Sequence, residues 1–134
     1  MVPNVQPLAV GTLKNGSVTL SAINAARDGS GTLGTLFTAG LGGAVVPRVW
    51  ARNQGAYGAS TATICRLFRE VSGGASRVMI DEVLLPAATS SATAVGASVA
   101  FPKGNYTLAA GELLKVCQSS ADAIGYDCDQ GGDY

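Results

Sequence analysis

Ala62-Thr-Ile-Cys-Arg-Leu-Phe-Arg-Glu-Val71, Ser72-Gly-Gly-Ala-Ser76, Arg77-Val-Met-Ile-Asp-Glu-Val-Leu-Leu-Pro86 and, after a small-residue link, Thr93-Ala-Val-Gly-Ala-Ser-Val-Ala-Phe101 decide the fold. Three runs rich in β-branched and apolar residues are separated by turn formers, the pattern of an antiparallel meander. The loop from Ser72 to Ser76 is short and free of bulky groups, which suits a hairpin. The third run alternates Thr93, Val95, Ala97, Val99 and Phe101 with small residues, so it is expected as a half-buried strand.

Outward from this stretch the same period recurs. Leu8–Leu13 and Ser17–Ile23 are β-prone, and Lys14-Asn15-Gly16 between them reads as a hairpin turn, because Asn-Gly favours the left-handed backbone of such turns. Residues 24–31 form a polar loop, Thr32–Thr38 a strand and Ala39–Gly43 a turn. Ala44–Asn53 is a two-faced strand, with Val45, Pro47, Val49 and Ala51 on one side and Val46, Arg48, Trp50 and Arg52 on the other. Pro47 has no amide donor and places this strand at an edge or a bulge. Residues 102–105 turn into Tyr106-Thr-Leu108, residues 109–112 turn again, Leu113–Gln118 is a strand, and Ala123–Cys128 is the last. Single helical turns at Ala22–Arg27 and Ser119–Ala123 would not alter the class. About eight to ten short strands predict an all-β chain, an antiparallel β-sandwich or jelly roll.

The chain has 134 residues, enough for one domain with a core of its own. Residues 1–7 hold two prolines, Pro3 and Pro7, and are expected as an extended N-terminal arm, with residues 8–134 as the single sandwich domain. Charged residues make up 13 % of the chain, against roughly 25 % in an average protein. Net charge is zero and no Lys/Arg cluster occurs, so a nucleic-acid partner is not expected. No apolar run approaches the ~18 residues of a membrane span, and nothing at the start resembles a signal peptide. Cys65, Cys117 and Cys128 match no zinc spacing and are expected as buried, reduced thiols of a chain made in a reducing cytoplasm.

Catalytic groupings are sparse. There is no histidine, which removes the commonest general base and the Ser–His and Cys–His pairs. Asp81 and Glu82 are adjacent on a strand, point to opposite faces and are expected as surface or ion-paired acids. Gly29-Ser-Gly-Thr-Leu-Gly34 matches the glycine spacing of a dinucleotide loop, but a polar loop precedes it, β-type residues follow and the next acid is Glu70. It is read as a flexible turn. Asp127, Asp129 and Asp133 distantly resemble a calcium loop, yet Gly131 stands where an oxygen ligand is needed, and a solvated acidic segment is expected. No enzyme activity, cofactor or metal is expected. Arg48, Trp50 and Arg52 on one strand face are the candidate contact group, since Trp and Arg dominate binding hot spots. The extended arm adds Val2, Pro3, Val5 and Pro7.

One resemblance spans most of residues 24–134. The succession Arg27-Asp-Gly-Ser-Gly-Thr-Leu33, Phe37-Thr-Ala-Gly40, Cys65-Arg-Leu-Phe68, Asp81-Glu-Val-Leu-Leu-Pro-Ala-Ala-Thr-Ser-Ser-Ala-Thr93 and Gly131-Gly-Asp-Tyr134 resembles a group of small tailed-bacteriophage structural proteins. This chain departs from them in its three cysteines and its less polar loop at 72–76. The resemblance implies a virion component, a jelly-roll cement or decoration subunit on the major capsid protein, assembled in the host cytoplasm. A neck or tail role is equally native to such proteins, and self-association as a homodimer or homotrimer suits the fold. A glycan-binding β-sandwich module is the alternative from a different class.

Overall fold

A computed structural model of the chain describes residues 11–71 and 76–133. Among these residues there is no helix; the expected single turns at 22–27 and 119–123 are bends. The strands in chain order are β1 (Thr12–Leu20), β2 (Gly34–Thr38), β3 (Ala44–Val46), β4 (Trp50–Asn53), β5 (Gly58–Ala59) and β6 (Thr63–Glu70). They continue with β7 (Arg77–Leu85), β8 (Thr89–Ser90), β9 (Ser98–Ala100), β10 (Tyr106–Leu108), β11 (Leu113–Gln118) and β12 (Ile124–Asp133). All pairings are antiparallel.

Two sheets face each other. The smaller has the order β2-β11-β6-β7. In the larger, β12 pairs with β1 on one side and with β4 and β3 on the other, and these two pair outward with β9 and β10. The pairings are nested: β1 with β12, β2 with β11, β3 and β4 with β10 and β9, and β6 with β7 as the innermost hairpin. The core between the sheets gathers Leu36, Phe37, Val46, Leu67, Leu85, Tyr106, Leu108, Leu114, Val116, Ile124 and Tyr126, all nearly or fully buried. The all-β antiparallel sandwich expected from the strand spacing is the observed fold.

Several expectations on strand placement are corrected. Lys14-Asn15-Gly16 is not a hairpin; β1 runs straight through it with a register shift between Lys14 and Gly16. A Cβ at Gly16 would lie 2.0 Å from the Leu36 carbonyl oxygen, so the glycine serves a β-bulge pressed onto β2 rather than a turn. The two-faced strand 44–53 breaks at Pro47, which cannot donate, and the inward face changes parity there. Ala44 and Val46 point inward before the break, Val49 and Ala51 after it. The run Thr93–Phe101 does not continue the meander: only Ser98–Ala100 is a strand, and it pairs with β4 in the opposite sheet. Val95 is consequently 91 % exposed instead of half-buried. Of the three acids expected to be solvated, Asp127 and Asp129 are exposed, but Asp133 is tied into the end of β12, its carboxylate accepting from the Gly40 amide (2.9 Å) and pairing with Lys14 (3.3 Å). The hairpin β6–β7 and strand β11 stand where expected, while residues 72–75 of the hairpin loop lie outside the described residues.

The second flank is closed by Asp81. A register shift between Leu67 and Phe68 kinks the β6–β7 pair at this point. The Asp81 carboxylate accepts from the Tyr106 hydroxyl (2.6 Å) and the Lys103 amide (2.9 Å), tying β7 to the opposite sheet. Its neighbour Glu82 is ion-paired, as expected for this acid.

The bulge contact yields a direct test. Gly16→Ala should destabilise the fold by about 1–3 kcal/mol, because backbone on both sides must shift to admit the methyl. Gly55→Ala, where the nearest heavy atom is 3.7 Å away, should stay within roughly 0.5 kcal/mol of the parent. Urea unfolding of the two variants beside the parent checks the difference.

Candidate interaction surface

β4 places the candidate group. Strand alternation turns Val49 and Ala51 into the core and leaves Trp50 and Arg52 outward, with Arg48 exposed just before the strand. Trp50 and Arg52 therefore share the outer face of the larger sheet, while Arg48 is exposed in the non-strand segment just before β4, beside the 100–105 turn. Trp50 stands opposite Asp127 on one side and Ala100 on the other; Arg52 stands opposite Gly125 and Ser98. Asp127 in turn faces Ser17 of β1, and Gly125 faces Thr19. The neighbours of the indole are small, so Trp50 is the one large aromatic in this part of the face, half-buried among them. Val2, Pro3, Val5 and Pro7 lie outside the described residues.

A cleft of about 200 Å³ opens beside Trp50, bordered by Ser17, Arg52, Gln54 and Asp127. The Gln54 amide lies over Gly125, where a Cβ would come within 2.3 Å of it, and accepts a hydrogen bond from the Thr19 hydroxyl (3.0 Å). Arg52 donates to the Ser98 hydroxyl at 3.4 Å. Beyond Arg52 a shallower hollow of about 720 Å³ is walled by small side chains, with Tyr57 and Val95 exposed at its rim.

The charges separate the two outer faces. On the smaller sheet Glu82 is shared by Arg27 (3.0 Å) and Arg66 (3.4 Å), and Glu70 by Arg77 and Lys115 (3.4 Å each). Loop 24–32 packs on this face: Gly29, at φ 84°, is buried there and its carbonyl accepts from Arg77 (2.9 Å). The Asn24 amide holds the loop by donating to the carbonyls of Ser30 and Thr32. The Gly-x-Gly segment is thus a pinned cover, not the flexible turn expected.

On the larger sheet Arg48, Arg52, Asp127 and Asp129 form no ion pair among the described residues. Other acids without an ion pair are held locally: Asp28 by Ser30, Asp81 by Tyr106, and Asp122 by the Thr61 amide. Asp127 and Asp129 were not among the expected contact residues. Their signal was the alternation Ile124, Tyr126, Cys128 against Gly125, Asp127, Asp129, a two-faced strand carrying acids outward.

The three thiols are free and buried, as expected. Burial pushes all three up from the ordinary value of 9.0, Cys128 to about 11. Among the described residues no group of three His, Cys, Asp or Glu side chains could hold a metal ion. No helix there is long and apolar enough to cross a membrane.

The raised thiols set an alkaline limit. The folded state holds these protons more tightly than the unfolded chain, so Cys128's contribution is complete below pH ~9 and is lost as pH rises towards about 11, and the raised Cys65 and Cys117 act in the same direction. Each thiol adds a slope of at most about 1.4 kcal/mol per pH unit in that window. Denaturation midpoints measured across it should fall for the parent and fall less for Cys128→Ser. No family model, no curated protein and no solved structure matches the chain.

Proposed function

We propose that the chain is a virion structural protein, a cement or decoration subunit that binds and stabilises a major capsid protein lattice. The strand order supports this reading. With the separate two-stranded β5–β8 pair set aside, counting β3 with β4 and β9 with β10 as two broken strands gives eight strands in two sheets of four, nested from the ends of the chain inward. That nesting supports the jelly roll that the resemblance to tailed-bacteriophage structural proteins implies.

The observation that carries the proposal is the outer face of the larger sheet. An open surface holding Trp50 and four charges without internal ion pairs is equipped for contact with another protein. A subunit that binds only the assembled lattice stabilises it by mass action, with no chemistry required. The arm residues Val2, Pro3, Val5 and Pro7 are the second proposed contact.

Particles purified from infected cells should contain this chain in proportion to the major capsid protein. Particles lacking it should open at lower temperature, and Trp50→Ala should reduce its retention on them at least tenfold. Its absence from particles would sink the proposal, and a few copies per particle would move it to the neck or tail.

The 200 Å³ cleft beside Trp50 favours a second reading, a glycan-binding module, because a half-buried indole flanked by Arg52, Gln54 and Asp127 can stack a sugar ring and bond its hydroxyls. On that reading a glycan array gives a saturable signal that Trp50→Ala abolishes, and a blank array removes it.

A further inference from the structure

The same face carries more than a general capacity for contact, because its charges are arranged by sign. The bases Arg48 and Arg52 stand on the β4 side. The acids Asp127 and Asp129 stand on β12, one ladder nearer β1. Trp50 and Asp127 are direct register partners, so the boundary between the two signs runs along the strands between β4 and β12. The four charges sum to zero. Such a face is complementary to itself under one kind of rotation. Turning a copy by 180° about an in-plane axis along the strands lays its acidic half over the basic half of the first. An axis across the strands would set like charge on like.

We propose that this face pairs with the same face of a second copy of the chain, across a twofold axis running along the strands between β12 and β4. The two Trp50 side chains then lie next to each other at the axis, and Arg48 and Arg52 of each copy meet Asp127 and Asp129 of the other. Small residues near the indoles, Ser17, Ser98 and Ala100, let the two sheets approach closely, while Gln54 covers Gly125. At the far end of the face, Leu13 of β1 is 78 % exposed and adds apolar area.

The footprint sets the strength. β12 is ten residues long. At ~3.3 Å per residue and ~4.8 Å between ladders, a face four ladders wide covers roughly 600 Å². That is somewhat below the ~800 Å² per partner of a standard interface, so the dimer dissociates on dilution. Its charge pairs lie near solvent, so added salt weakens it. The inference rests on the reading of the Trp50 face as a protein contact and names that partner as a second copy; the dimer then brings two arms to the lattice, so losing the face weakens retention through lost bivalency.

Sedimentation velocity over a concentration series tests it. The parent should shift from monomer to dimer as concentration rises, with the midpoint moving at least tenfold higher in strong salt. Arg48→Asp with Arg52→Asp makes the face wholly acidic, and Asp127→Arg with Asp129→Arg makes it wholly basic. Each double variant alone should be monomeric, with a circular dichroism spectrum and melting temperature like the parent's. An equal mixture of the two should dimerise again. Trp50→Cys gives a second route that needs no charge change. Because sheets packed face to face lie about 10 Å apart, beyond the reach of a direct disulfide, a bismaleimide of about that span should cross-link it at the axis, while Tyr57→Cys stays uncross-linked and the native thiols, being buried, stay silent.

A parent that is monomeric throughout, charge variants that still dimerise, or a mixture that stays monomeric would each overturn the inference. A monomeric parent that still loads onto particles would overturn it alone, leaving the structural role standing. A dimer that never joins particles would sink the structural role alone.

Discussion

Strand β12 is the member on which the larger sheet depends. It is paired along both edges, to β1 on one side and to β4 and β3 on the other, so none of these would share a sheet without it. It also sends Ile124, Tyr126 and Cys128 into the core. The Tyr126 hydroxyl meets the side-chain oxygen of the fully buried Gln118 (3.0 Å), whose amide donates to the carbonyls of Ser120 and Asp122. This satisfied network fixes the connection between β11 and β12, where an unpaired amide would be costly. Because β1 and β12 lie at opposite ends of the described chain, the sheet closes only through long-range pairing. Such topology folds slowly and cooperatively.

The two outer faces then differ by a physical rule. A charge taken from water must be paired. On the smaller sheet Arg66 and Glu70 are buried beside loop 24–32, and their partners Glu82, Arg77 and Lys115 neutralise them. These pairs are made within one chain, although Arg66 Nε and Nη1 are buried without a hydrogen-bond partner. The larger sheet has no such cover among the described residues, and its charges stay exposed and without ion pairs. The asymmetry arises from a loop shaped by Asn24 and by glycines at positive φ.

Much of this was legible in the sequence where the signal is local. The β6–β7 hairpin follows from two β-rich runs and a short loop, and β11 from Leu113–Gln118 between turn formers. The outward placement of Trp50 and Arg52 follows from alternation alone. The failures share a cause, which is that local pattern does not state what lies across the sheet. Asn15-Gly16 has the chemistry of a turn, but it meets the Leu36 carbonyl of another strand and becomes a bulge. Thr93–Phe101 alternates as a strand should, yet only its last residues find a partner, in the opposite sheet. The acids at 127 and 129 read as solvated, and they are exposed; what the local pattern does not state is that β12 lies at the centre of a sheet, which sets Asp127 directly beside Trp50.

Closure of the flanks decides how such a molecule can associate. An open sandwich offers two surfaces, strand edges and sheet faces, and unpaired edges recruit other chains indiscriminately. Here both flanks carry a bulge. At Lys14–Gly16 the kinked β1 presses on β2, and Lys14 reaches the Thr38 carbonyl and Asp133. At the β6–β7 irregularity Asp81 takes up the Tyr106 hydroxyl and the amides of Lys103 and Glu82. Bulges twist an edge out of register, and a carboxylate that captures edge amides removes donors a new strand would need. With pairing at the flanks disfavoured, the sheet faces are the surfaces open to specific association: the smaller sheet offers Leu84 and Val78 of β7, each 52 % exposed, and the larger offers Trp50 with charges that have no internal ion pair.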